Sequence, residues 1–245
     1  FIINMRLQLK KIFLITQIFI FLACNSKIDQ KITISKIEGS PSFESSKLSL
    51  TEQVKVDDEY QFSFDVVEYE LGVKTETEFN YQLANSNKGQ HIHFIVNNEP
   101  YSAHYVNNFK KTVDDDDIIL AFLSRSHHES VKNKDAYVFT QINDGTSDLS
   151  KEFLFYSRPK GTYTGKDSEK VLLDFYLLNT EISTNGNKVR ATINNTIFLI
   201  EDWAPYYIEG LEEGENQIKL ELIDSNGNLI ETPFNPSIKT FMIEK

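Results

Sequence analysis

The chain has 245 residues, 25 basic and 36 acidic, with a net charge of −11, 40% hydrophobic and 12% aromatic content. This composition can fill a packed core and excludes a disordered or low-complexity chain. The acid surplus argues against nucleic acid as a partner and against attraction to anionic head groups.

In chain order, residues 1–4 precede a natural start at Met5 and read as an over-extended frame. Arg6, Lys10 and Lys11 then lead into an apolar run from Ile12 to Ala23, interrupted by Thr16 and Gln17. The run is short for a membrane span, which needs about 20 apolar residues, and fits the apolar core of a signal peptide. It ends in Phe21-Leu22-Ala23-Cys24, which resembles a bacterial lipobox, with Phe21 where Leu or Val is usual. The alternative is an ordinary secretory signal with a chance cysteine. Cys24 is the only cysteine, and a lone thiol is a liability in an exported chain unless it is modified. Residues 1–23 are therefore expected to be a signal peptide and Cys24 a lipidated, palmitate-bearing anchor in the bacterial envelope. That leaves no thiol for catalysis or a disulfide. Asn25, in place of the Asp associated with inner-membrane retention, points to the outer membrane; the segment Lys27–Lys31 lacks the clustered acids of surface export.

Residues 24–49 are rich in Ser and Lys with little periodicity and predict a tether. Beyond them lie short alternating runs bounded by Asn, Gly and Asp. Gln61–Val66, Glu78–Leu83, Gln90–Val96, Ile118–Leu123 and Gln217–Leu222 all have strand length, and no long helical stripe occurs. The chain also aligns with itself. Tyr69–Asn85 lies over Tyr163–Asn179, Gly89–Asn98 over Gly186–Asn195, and Ile119–Leu123 over Ile218–Leu222, at offsets of about 94, 97 and 99. Ile92, Phe94 and Val96 keep the apolar phase of Val189, Ala191 and Ile193, and Asn-Asn suits a hairpin turn after each run. Two tandem immunoglobulin-like antiparallel β-sandwich domains are expected, over 50–144 and 150–245.

The stretches Lys88–Tyr105 (KGQHIHFIVNNEPYSAHY), Leu120–Lys132 (LAFLSRSHHESVK) and Asn187–Asn194 (NKVRATIN) resemble a family of uncharacterised two-domain lipoproteins of Bacteroidota. Some members of that family carry the label phosphopeptide-binding protein. The resemblance covers most of the mature chain and implies an exported two-domain lipoprotein without assigning an activity.

All five histidines, His91, His93, His104, His127 and His128, fall in the first repeat. Residues i and i+2 of a strand share a face, so His91 and His93 point together, away from the core face of Ile92 and Phe94. The second repeat has Lys188 and Arg190 in their place, so the fold itself does not require imidazole there. A turn centred on Asn97-Asn98 would set His104 opposite His91, with His127 or His128 as a further ligand. Converging neutral imidazoles suit Zn²⁺ or Cu²⁺; a chance surface patch is the competing reading. Arg125, between Ser124 and Ser126 and followed by Lys132, could hold a carboxylate or phosphate, or else pair with a nearby acid. Asp114–Asp117 lacks the alternating spacing of a Ca²⁺ loop and reads as a solvated turn. Trp203 with Pro205, Tyr206 and Tyr207 could stack on a carbohydrate or serve the core. No nucleophile elbow, phosphate-binding loop, dinucleotide fingerprint or zinc-protease motif occurs. The expectation is a lipid-anchored, non-catalytic binding module. A Zn- or Cu-binding envelope protein and a phosphopeptide- or carbohydrate-binding accessory protein stand as alternatives.

Overall fold

The alternating runs Gln61–Val66, Gln90–Val96 and Gln217–Leu222 form strands, as do the more continuously apolar runs, and all pair into sheets. The computed structural model describes residues 31–76 and 82–245. The first repeat contains β2 (Lys47–Val56), β3 (Glu59–Val67), β4 (His91–Val96), β5 (Ser102–His104), β6 (Asn108–Lys111), β7 (Ile118–Ser124) and β8 (Tyr137–Gln141). They form two sheets, ordered β2-β3-β6 and β5-β4-β7-β8. The second repeat contains β9 (Phe153–Arg158), β10 (Thr162–Thr164), β11 (Val171–Leu178), β12 (Lys188–Ile193), β13 (Thr196–Ile200), β14 (Tyr206–Glu209), β15 (Gly214–Ile223) and β16 (Ser237–Glu244). Its sheets run β9-β11-β14, extended at the β14 edge by β1 (Thr33–Lys36), and β10-β16-β15-β12-β13. Each repeat thus sets a three-strand sheet against a four-strand sheet of matching order. This is an immunoglobulin-like sandwich, with one added strand on each sheet of the second copy.

The internal repeat is visible in register. Ile92 pairs with Leu123, Phe94 with Ala121 and Val96 with Ile119; in the second copy Val189 pairs with Leu222, Ala191 with Leu220 and Ile193 with Ile218. Ile92, Phe94, Val189, Ala191 and Ile193 are buried as expected, and Val96 is partly buried against the same core. The first alignment block is corrected. β11 occupies the place in its sheet that β3 occupies in the first repeat, so the described residues of 69–85 belong to no counterpart of β11. Of the strand expected over Glu78–Leu83, residues 78–81 lie outside the described residues, and Gln82 and Leu83 are not in a strand. Leu83 is instead buried beside Ile37 and Leu172.

The tether expectation is also corrected for its described part. β1 pairs antiparallel with β14, from Thr33 opposite Glu209 to Lys36 opposite Tyr206, and Ile32 and Ile37 are buried at its ends. Asn133 then holds the following segment through the carbonyls of Phe43, Glu44 and Ser46. Lys31, Ser35, Lys36, Ser42, Ser45, Lys47 and Ser49 are exposed, whereas Ile32, Ile37 and the buried Ser46, which donates to the Glu68 carbonyl, supply the anchoring.

Three apolar layers lie between the four sheets. Two are the sandwich cores, centred on Phe62, Phe94 and Leu123 and on Phe175, Ala191 and Leu220. The third lies between the repeats. Ile95, Leu120 and Phe122 pack on Phe153, Phe155, Tyr176 and Leu178. Phe122 stacks on Tyr176 at 4.7 Å between ring centroids. β7 and β11 are therefore buried on both faces, which accounts for their near-continuous apolar sequences IILAFLS and VLLDFYLL. Lys132 crosses the same junction to the fully buried carboxylate of Asp174, at 2.5 Å.

Candidate metal site

β4 carries His91 and His93 on the face that meets the second repeat, and both are fully buried. Tyr105 and His128 pack on His91, and Tyr101 and, from the second sandwich, Ser157 lie against His93, so the expected exposed position of this pair is corrected. The turn after β7 brings His128 to the same place. His128 has φ of 70°, a left-handed conformation uncommon for a residue with a side chain, and one that histidine adopts more readily than most. That turn swings its ring back over β4 while His127 points elsewhere. The ligand-capable nitrogens of His91, His93 and His128 lie within 4.8 Å of one another.

His91 Nε2 and His128 Nδ1 lie 3.2 Å apart. His91 Nδ1 donates to the Gly89 carbonyl at 2.8 Å, which leaves the Nε2 lone pair facing the cluster. A backbone carbonyl in that role is the usual orienting partner of a metal-ligating histidine. His93 Nδ1 lies 3.4 Å from Ser157 Oγ, and its Nε2 is buried with no hydrogen-bond partner among the described residues. An unpaired buried nitrogen is costly and calls for an occupant. Tyr101 stacks on His93 with centroids 3.5 Å apart, and its hydroxyl lies 3.4 Å from His128 Nδ1.

All three imidazoles are held neutral. Burial lowers His91 to a pKa of about 4, against the rise its bond to Gly89 would give. Burial also drives His93 and His128 well below the usual histidine range, and the positive charges of Arg158 and Lys160 add to this. Neutral imidazole is the form that ligates metal, so the site needs no deprotonation near neutral pH.

His104 does not join the cluster. It sits opposite Ile92, whereas His91 to His104 pairing was expected. The hairpin loop displaces the register by one residue, and such a slip sends a side chain to the other face. His104 stacks on Phe109 at 3.4 Å, and Ser102 Oγ lies 2.8 Å from its Nε2. His127 is drawn to Glu129, with Nε2 3.0 Å from the carboxylate, which Arg125 also contacts at 3.0 Å.

The anion-binding expectation for Arg125, Ser124, Ser126 and Lys132 is corrected. Arg125 is buried, and its guanidinium donates to the carbonyls of Pro41 and Ser130 as well as to Glu129. Ser124 Oγ donates to backbone carbonyls, Ser126 Oγ accepts from the Thr75 amide at 3.1 Å, and Lys132 is taken by Asp174 and Ser130. A carboxylate of the chain satisfies the arginine first. Trp203 gives its indole N–H to the Phe175 carbonyl and sets its ring edge-on to Tyr176, a packing role. Asp114–Asp117 caps the β6–β7 turn, with Asp117 accepting the Asp114 amide at 2.8 Å.

The three clustered histidines are visible in the sequence, but Ser157, Arg158 and Lys160, which approach them from the second repeat, are not. The apolar run Phe153–Tyr156 ahead of them is the one signal that this strand faces another body.

No family model matches the chain, and no curated protein matches it. Among solved structures it is similar to the fibronectin(III)-like modules of CbhA from Clostridium thermocellum, at 10% identity and TM-score 0.30, over 80% of this chain and 94% of that one. It is similar to the central fibronectin-III array of RIM-binding protein, at 10% identity and TM-score 0.28, over 86% and 71%. It is also similar to domains 7, 8 and 9 of the S-layer protein SbsC, at 12% identity and TM-score 0.22, over 86% and 62%. At these low scores, the strand order and register are what establish the fold class.

Proposed function

We propose that this chain is a lipid-anchored, non-catalytic binding module of the bacterial cell envelope, with a copper or zinc ion held in its first repeat by His91, His93 and His128. The convergence of three neutral imidazoles, two fully buried and one half-buried, with the His93 Nε2 unpartnered among the described residues, carries this reading. The lipobox-like Phe21-Leu22-Ala23-Cys24 and the leader ahead of it support the anchor, and Asn25 favours the outer membrane. No helix among the described residues is long and apolar enough to cross a membrane.

The test is thermal unfolding of the full chain, purified in detergent, with added Zn²⁺ or copper. A native-state ligand at 100 times its Kd stabilises by about 2.7 kcal/mol. His128→Asn should abolish the shift while folding, because asparagine tolerates the left-handed backbone there. His104→Ala should keep it. Unchanged melting with both metals would end the metal reading. For the anchor, Cys24→Ala should leave the chain released or unprocessed; membrane partition after cleavage would refute it.

A further inference from the structure

We infer that the triad is built for singly charged copper, Cu(I), in preference to a divalent ion; this rests on the triad binding metal at all. Three features of the enclosure support the choice. The cluster contains histidine alone: no carboxylate or thiolate among the described residues joins it. The nearest acid on the same turn, Glu129, is already shared by Arg125 and His127.

The second repeat supplies positive charge only one ring away. Tyr101, stacked on His93, has Lys160 Nζ 4.2 Å and the Arg158 guanidinium 5.2 Å from its ring centroid. Lys160 donates to the Tyr101 carbonyl at 2.5 Å. Arg158 donates to the Lys160 carbonyl at 3.2 Å and the Tyr163 hydroxyl at 3.1 Å, and its buried Nε has no partner among the described residues. Repulsion from these cations rises in proportion to the charge of a bound ion, and the cost of burying that ion rises with its square. A divalent ion is penalised on both counts, with no anion supplied to offset it.

The number of donors points the same way. Zn²⁺ takes four ligands in closed sites, whereas Cu(I) is satisfied by two or three; imidazole serves zinc and copper alike, so it is the count and the charge, not the donor type, that favour Cu(I). Binding requires no change of oxidation state at the site: copper enters and stays as Cu(I).

The experiment uses the full chain in detergent. Cu(I), kept reduced by ascorbate without oxygen, is titrated in competition with bicinchoninate, and Zn²⁺ is titrated against a zinc-sensitive dye. One Cu(I) per chain is expected, bound more tightly than Zn²⁺, with both lost in His128→Asn. Lys160→Met removes one unit of positive charge at a half-buried position. It should raise Cu(I) affinity by about threefold and Zn²⁺ affinity by about tenfold, because the Coulomb contribution doubles with ion charge. Arg158→Gln should shift the two affinities in the same unequal way. Zinc binding as tight as Cu(I), with equal responses to both substitutions, would overturn the preference for Cu(I) and leave the metal site standing. Failure of both metals to bind, or binding that survives His128→Asn, would overturn the site itself.

Discussion

Each member of the triad is placed by backbone as much as by its own side chain. Gly89 shows this most directly. Its φ is 86°, and a Cβ there would lie 2.4 Å from the Val73 carbonyl oxygen. Gly89→Ala should therefore cost about 2 kcal/mol or more, and should also loosen His91, whose ring the Gly89 carbonyl orients. Denaturant unfolding measures the first effect, and metal affinity the second. The histidines also set an acid limit. In the unfolded chain His91 takes up a proton below about pH 6.5, whereas in the fold burial holds it neutral down to a pKa of about 4. Stability is full above the unfolded value and falls as pH drops from about 6.5 to 4, with His91 alone costing on the order of 3 kcal/mol. Glu129 acts in a lower window. Burial pushes it up, but the His127 hydrogen bond and the Arg125 charge hold it at about 2, so its contribution fades only below the ordinary carboxylate range. His91→Gln should flatten the stability profile between pH 4 and 6.5; an unchanged slope would refute the assignment. That His91 and His93 share a face was legible from their spacing, because strand parity is local. Where His104 points was not, because parity across a hairpin depends on the length of its loop.

The elements carry the next lesson. β1 has only four residues and little local pattern, yet it closes the edge of the second repeat's sheet before the chain returns to begin the first. Its stability comes from pairing with β14 and from the buried flanks Ile32 and Ile37. Ser35→Pro should release it: Ser35 lies opposite Tyr207, two residues before the Ile37 amide that bonds the Pro205 carbonyl, so its own amide faces β14 and proline cannot donate to that ladder. Limited proteolysis would then cut between residues 31 and 46 while the two sandwiches persist. A protease-resistant segment would show that β1 is held by something other than its ladder. The strands shared by both repeats were legible because their apolar phase and Asn-Asn turns recur together. β3 was legible as a strand from Gln61–Val66, but its equivalence to β11 was not. The stretch 69–85 imitates the second copy in spacing, but β3, not its described residues, holds the place of β11.

At the scale of the molecule, Ile32–Lys245 is one compact unit. Phe122, Phe155 and Tyr176 fill the layer between the repeats, so each sandwich buries a face that would be apolar and exposed if it stood alone. The two should unfold together in one calorimetric transition. Tyr176→Ala removes the ring stacked on Phe122 and set edge-on to Trp203, and should cost about 3–5 kcal/mol. It should also separate the melting of the repeats. One unshifted transition in that variant would mean that the junction contributes little.

Strand positions, the repeat, the inward faces of β4 and β12 and the candidacy of His91, His93 and His128 follow from the sequence, because periodicity and turn chemistry are local properties. Tertiary structure alone decided that the second sandwich covers the histidine face and that His128 replaces His104. It likewise decided that Arg125 is spent on Glu129 and the Pro41 and Ser130 carbonyls, and that Arg158 and Lys160 set the charge beside the triad. Those outcomes depend on how two sheets far apart in sequence stack, and on a one-residue difference in a hairpin. No local pattern encodes either.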